Sequence, residues 1–256
     1  MRQTPLHLMQ TKCSLLRSGS VLVLGLITAH LVGCASTGDK SATTTTTTTA
    51  AQPAGKFRAD DNRVIDIGRP ATAEGGTVYK NPHLEKCWVA DGFDLKGYDT
   101  LYIAPAHSTA KFPDKPEDKM VHDRAMEGLV TELARSLQAK NLFRQVVTRE
   151  SDIPAGSKTL RLENTITDFS KGGGAARYFA GLYGAGQPIL RVEGTLSDGG
   201  RPVFTYTAHR SGVSAGARMS GAFMKDEDIQ IQDVRSLVLD LTDFMAAIAG
   251  KYPPKS

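Results

Sequence analysis

Gly212-Val213-Ser214-Ala215-Gly216 has the G-x-S-x-G spacing of a nucleophile elbow, where a serine on a tight turn attacks an acyl carbon. In the fold that uses this elbow, an acid and then a histidine must follow the serine in the chain. The last histidine here is His209, which precedes Ser214, so that order is not met. His83, His107, His122 and His209 are scattered, without H-E-x-x-H spacing or a nearby cysteine pair, and indicate neither a metal nor a cofactor. The acidic run Asp226-Glu227-Asp228 precedes an apolar helical stripe, where negative charge complements the helix dipole. No catalytic residue is assigned.

The most unusual segment runs from Lys171 to Gly186, and ten of its sixteen residues are Gly or Ala. It contains Gly181-x-x-Gly184-x-Gly186 but no Gly-Lys-Ser/Thr, and no βαβ pattern surrounds it, which argues against a phosphate loop. Glycine at this density permits close backbone approach. Arg177, Tyr178, Phe179 and Tyr183 supply a cation and aromatic anchors of the kind enriched at protein interfaces. Together with Gly181, Gly184 and Gly186 they form a candidate interaction surface. A second small-residue stretch, 211–222, carries Arg218. If the strands from 159–169 to 203–209 are neighbours in a sheet, Arg177 and Arg218 flank one shared face.

The N-terminus carries chemistry of another kind. Arg2, Lys12 and Arg17 lead into the apolar stretch Val21–Val32, which is followed by Gly33-Cys34. A basic start and about a dozen apolar residues form a secretory signal, too short to span a bilayer. Leu31-Val32-Gly33-Cys34 resembles the lipobox of bacterial lipoproteins, which implies cleavage before Cys34 and acylation of its thiol. Each buried methylene adds about 0.8 kcal/mol, so two or more acyl chains hold a protein on a membrane. Ala35, rather than Asp, follows the cysteine; by resemblance to lipoprotein sorting this implies the outer membrane, facing the periplasm. Met9 is an alternative start. Residues 1–33 thus read as signal and 34–56 as a tether containing seven consecutive threonines, Thr43–Thr49. Such a chain reaches about 25–30 Å. With Cys13 removed, Cys87 has no partner for a disulfide and reads as a small buried hydrophobe.

Composition agrees. Of 256 residues, 40% are hydrophobic and 23% charged, enough for one core. The formal charge of +4 largely vanishes with the three cations of the signal, leaving 28 basic against 27 acidic residues. That excludes any argument for nucleic-acid binding. No apolar run is long enough for a transmembrane helix.

The elements that must position these segments fall in residues 57–252. Val64–Ile67 and Lys86–Val89 read as short strands within a poorly patterned region. Tyr98–Ala104 is rich in β-formers and is stopped by Pro105. Val121, Ala125, Leu129, Leu133 and Leu137 predict a helix over 118–140, capped by Asp118 and ended at Asn141. A short strand at Val146-Val147 follows. Leu160, Leu162 and Ile166 alternate with Arg161, Glu163, Thr165 and Thr167; Leu190, Val192 and Leu196 alternate with Arg191, Glu193 and Thr195. Asp198-Gly199 predicts a hairpin into 202–209. Ile231, Val234, Leu237, Val238, Leu241, Met245 and Ile248 make a final helix over 228–249. The order β-α-β-β-β-β-α predicts an α+β fold: a single two-layer sandwich, a mainly antiparallel sheet with two helices on one face.

Thr167-Asp168-Phe169, Ala176-Arg177-Tyr178, Gly181-x-x-Gly184-x-Gly186 and Asp198-Gly199 together resemble a family of bacterial lipoproteins defined by a domain of unknown function, number 4410. The resemblance covers about 98–250; Pro188 and the glycine triplet 172–174 depart from it. It implies an anchored envelope protein and supplies no catalytic residues. The sequence therefore reads as an outer-membrane lipoprotein, bound to the bilayer through acylated Cys34. Its periplasmic domain is expected to be a non-enzymatic interaction or assembly module for an envelope protein or a second copy. A small-ligand or glycan binder is the first alternative, and a hydrolase using Ser214 the second.

Overall fold

The computed structural model describes residues 53–112, 114–173, 186–211 and 225–255. The central hairpins follow directly from the alternating runs. β9 (Thr159–Ser170), β10 (Ile189–Asp198) and β11 (Arg201–Arg210) form an antiparallel meander. Gly199 and Gly200 make the two-residue turn into β11, both at positive φ (55° and 86°), which a tight hairpin demands. Leu160, Leu162, Ile166, Leu190, Val192, Leu196, Phe204, Tyr206 and Ala208 are buried on one face. Arg161, Glu163, Thr165, Arg191, Glu193 and Thr195 occupy the other, which meets solvent.

Strands on both sides extend this meander into a nine-stranded sheet. β6 (Thr100–Ile103) and β7 (His107–Ser108) pair in parallel with β9, and β8 (Gln145–Val147) pairs in parallel with β6. On the far side, β5 (Glu85–Ala90) lies parallel to β11, with Glu85 level with Thr207. β4 (Gly76–Asn81) and β3 (Arg69–Ala73) continue from it as antiparallel neighbours. β1 (Lys56–Arg58) and β2 (Val64–Asp66) form a separate hairpin. The α+β architecture with a mainly antiparallel sheet matches the expectation, but the sheet is larger. Of residues 57–97 only the second and fifth strands carry readable apolar runs.

Both helices take the positions their stripes require. α1 (Pro116–Ala139) buries Val121, Ala125, Leu129, Leu133 and Leu137. It begins earlier than the expected Asp118 cap because Pro116 occupies the first turn, where the missing N–H is harmless. Asp118 instead lies inside the first turn. Asn141, at φ 50°, ends the helix as expected. α2 (Asp226–Ile248) packs along α1 and against β10, β11 and β2. Its second half is buried all round, Phe244, Ala246 and Ala247 included, because the sheet, α1, the β1–β2 hairpin and the C-terminal tail enclose it. The tail is fastened by hydrogen bonds from Arg58 N–H to Pro253 O and from Lys255 N–H to Lys56 O.

Two details of the meander depart from simple alternation. A bulge at Thr167, between the pairs Ile166–Val192 and Asp168–Arg191, turns Phe169 inward beside Ile166. Asn164 is also inward and fully buried, although polar. Tyr206, on β11, lies across Gly194 on β10 and donates its hydroxyl to Asn164 Oδ1 on β9 at 2.7 Å. A Cβ on Gly194 would sit 2.0 Å from Tyr206 Cε1, so only glycine admits the ring.

Candidate functional site

The register of the meander decides where the two small-residue segments attach. Ser170 pairs with Ile189, and Leu190 pairs with Arg210. The end of β9, the start of β10 and the end of β11 therefore stand side by side at one end of the sheet. The stretches following Ser170 and Arg210 both leave from that end, which meets the condition set by the sequence, neighbouring strands. Gly173 N–H donates to Gly186 O at 2.9 Å and closes the neck of the first stretch. Gly186 is thereby placed. Cys34, Arg177, Tyr178, Phe179, Gly181, Tyr183, Gly184, Ser214 and Arg218 lie outside the described residues.

The surroundings of this neck are polar and mutually engaged. Lys171 Nζ lies 2.9 Å from Asp118 Oδ1, and the Asp118 side chain is buried. Asp118 thus ties the first turn of α1 to the end of β9 instead of capping the helix. Gln230, in the first turns of α2 and almost wholly buried, donates Nε2 to Ser170 O at 2.6 Å. A second, longer contact reaches Ile189 O at 3.4 Å. This one side chain clamps both strands where they diverge, while its Oε1 has no hydrogen-bond partner among the described residues. Glu227, from the acidic run, pairs with Arg124 of α1. That cluster serves helix packing as well as the dipole.

Sequence spacing did not reveal Ser108, His122 and Asp123. His122 Nε2 stands 2.8 Å from Ser108 Oγ, and its Nδ1 is 3.4 Å from Asp123 Oδ1. The imidazole is buried between Phe112 and Phe169, with ring centroids 4.6 and 5.0 Å away. The trio has the residue types of a nucleophilic triad but other commitments. Ala110 N–H donates to Ser108 Oγ at 3.3 Å, and Ile166 O lies within 3.3 Å of the same oxygen. Asp123 is largely exposed and bound by Lys119 at 2.7 Å, whereas a triad acid is buried and aimed at the histidine. Lys119 holds the Asp123 carboxyl below the usual range. The arrangement fits a lock between β7, α1 and β9. No signal short of the tertiary contacts could have joined residues on three elements.

The remaining candidates stand apart. His83, His107 and His209 are not joined by acids or thiols into a ligand set; among the described residues no group of three or more His, Cys, Asp or Glu is placed to hold a metal ion. Cys87 is fully buried beside Tyr79 and Tyr206, and burial pushes its thiol up. Among the described residues no helix is long and apolar enough to cross a membrane.

An α+β domain with a mixed, mainly antiparallel sheet and two helices on one face is thus the class that the geometry defines. No family model matches the chain. No curated protein matches it either. Among solved structures, the PelC dodecamer from Paraburkholderia phytofirmans is similar at 14% identity over 56% of this chain and 88% of that one, with a TM-score of 0.37. Protein XCC0632 from Xanthomonas campestris, of the domain of unknown function 330, shares 11% identity over 64% and 91%, at 0.33. A minor lipoprotein from Acinetobacter baumannii shares 19% over 62% and 97%, at 0.31. Likenesses at this level name no family for the chain.

Proposed function

We propose that this chain is a lipoprotein of the bacterial outer membrane, held by acylated Cys34, whose periplasmic domain works without catalysis as an interaction or assembly module. The observation that carries the reading is the pairing of Ser170 with Ile189 and of Leu190 with Arg210. It brings the attachment points of the two small-residue segments to neighbouring strand ends, which supports reading the two segments together. Tyr178, Phe179 and Tyr183 are the aromatic anchors of the proposed surface, and Arg177 and Arg218 its cations. The occupant is an envelope protein or a second copy of the chain.

The test is photocrosslinking in intact cells, with a photo-reactive residue replacing Tyr178 or Tyr183 in the full chain. A single crosslinked protein, or a crosslinked homodimer, is the expected result, and the pair Arg177→Glu and Arg218→Glu should abolish it. Absence of any crosslink from correctly anchored protein overturns the reading. Anchoring is scored separately: Cys34→Ser should eliminate labelling by radioactive palmitate and release the domain from the membrane fraction.

A further inference from the structure

At the opposite end of the sheet, where β10 finishes and β6, β9 and β11 begin, the chain forms a cleft of about 440 Å³. That lies within the roughly 300–1,000 Å³ of small-molecule sites. Its walls are aromatic. Phe93 and Tyr98 stand 6.0 Å apart, and Tyr98 is fixed by a 2.7 Å hydrogen bond from its hydroxyl to Asp198 Oδ2. Lys158 Nζ covers the Tyr98 ring at 4.4 Å. The third aromatic, half-buried Trp88, lies on the Gly75–Gly76 turn: a Cβ on Gly76 would come within 2.7 Å of the indole Nε1 and 2.3 Å of Val89 O. The glycines let the indole lie down on the backbone on one side, and the ring lines the cleft. This is a rigid, preorganised platform.

The rim sets the chemistry of the occupant. Asp91 and Asp94 line the cleft as acids and Lys158 and Arg201 as bases, so the formal charges of the lining residues cancel; Asp198, behind Tyr98, is engaged by the Tyr98 hydroxyl, and Asp94 Oδ1 also accepts from Lys96 N–H at 3.0 Å. A small ion of either sign therefore meets like charge as well as opposing charge. A ligand with a flat C–H face for the indole, and hydroxyls that both donate to carboxylates and accept from cations, satisfies every group. A neutral hexopyranose is such a ligand. We infer that the cleft between Trp88, Tyr98 and Arg201 binds a neutral saccharide, with a sugar ring stacked on Trp88 and its hydroxyls shared between the acidic and basic rims. The site is separate from the small-residue end and does not depend on the reading given to that end.

Trp88 is the only tryptophan in the sequence, so its emission reports on this cleft alone. Full-length protein in detergent is titrated with maltose, cellobiose and chitobiose, following tryptophan fluorescence, and saturation-transfer difference NMR with the same sugars detects binding that leaves the emission unchanged. At least one sugar should bind saturably. Asp91→Asn and Arg201→Ala, both at exposed positions, should each weaken binding about tenfold, the loss of one good polar contact. Trp88→Leu, read by NMR, should abolish it, with an unaltered circular dichroism spectrum showing that the variant folds. Silence from all three sugars by both methods overturns the inference. Saturable binding that survives Trp88→Leu overturns it as well.

Discussion

Replacing Gly194 with alanine tests the packing of the central meander most directly. The added methyl would sit 2.0 Å from Tyr206 Cε1 and 2.7 Å from Cζ, so the ring must move. The ring is buried, and its hydroxyl is held 2.7 Å from Asn164 Oδ1. Moving it breaks that bond. Asn164 Nδ2 already has no partner among the described residues, so the whole buried amide is then unsatisfied. Overpacking costs about 1–3 kcal/mol. Orphaning the buried groups adds about 1–3 kcal/mol. A combined loss of about 2–6 kcal/mol is large against a typical total of about 5–15 kcal/mol. Urea unfolding followed by circular dichroism should show a midpoint lower by about 0.7 M or more, at an m-value near the top of the about 1–3 kcal/mol/M range. The double-mutant cycle with Tyr206→Val isolates the cause. Once the ring is gone the methyl has room, so Gly194→Ala should then cost at least about 1 kcal/mol less. A Gly194→Ala variant as stable as the parent, or costs that simply add in the cycle, would refute the reasoning.

Asp243 is buried and accepts from Lys140 Nζ at 2.6 Å and Tyr252 Oη at 3.2 Å, with Arg63 at 2.9 Å; Asp243→Ala strands these partners and should cost about 3–5 kcal/mol. Hydrogen exchange should accelerate in the β1–β2 hairpin and the C-terminal tail, which this carboxylate fastens to α2, and unchanged exchange there would contradict the assignment. Alkaline pH should destabilise the fold: burial pushes Tyr79 up to about 12 and raises Tyr206 and Cys87. The folded protein keeps these protons where the unfolded chain loses them, so stability is whole below about pH 8.5, where the first of them begins to ionise when unfolded, and falls as pH rises through about 10. Denaturation midpoints measured from neutral to strongly alkaline pH check the sign, and a flat profile refutes it. Cys87 should resist iodoacetamide in native protein and react only on unfolding, as mass spectrometry of the alkylated chain will report.

How much of this was legible depended on whether burial left a periodic trace. The α1 stripe and the β9–β11 alternations were readable because one face of each element is buried and the other wet. The N-terminal strands were not. β3 carries Pro70 and is largely exposed on the sheet edge, so it has no apolar alternation to read. β4 starts with Gly76, whose reason is the indole of Trp88 on the next strand. The Thr167 bulge moved Phe169 to the inner face, which strict alternation places outside. Asn164 is a polar residue at an inward position, and nothing in its own strand shows that its partner, Tyr206, lies two strands away. The cluster of Ser108, Phe112, His122 and Phe169 arises from three elements, and no spacing encodes it. The small-residue segments were visible as composition, but their common origin at one sheet end is a property of register.

Register also makes the two ends of the sheet independently testable. β10 runs ten residues from Ile189, beside the diverging strands, to Asp198, which holds Tyr98 in the aromatic cleft. At about 3.3 Å per residue that separates the ends by about 30 Å. Changes so far apart, without shared partners, add within about 0.5 kcal/mol. Arg201→Ala should therefore leave crosslinking from Tyr178 intact, and the charge reversals at Arg177 and Arg218 should leave saccharide affinity unchanged. If either perturbation moved the other readout, the rigid meander between them would have to transmit it. The Gly194→Ala variant, at the middle of that path, would then be expected to uncouple the two ends. Equal readouts in the two backgrounds instead fix them as separate sites on one scaffold.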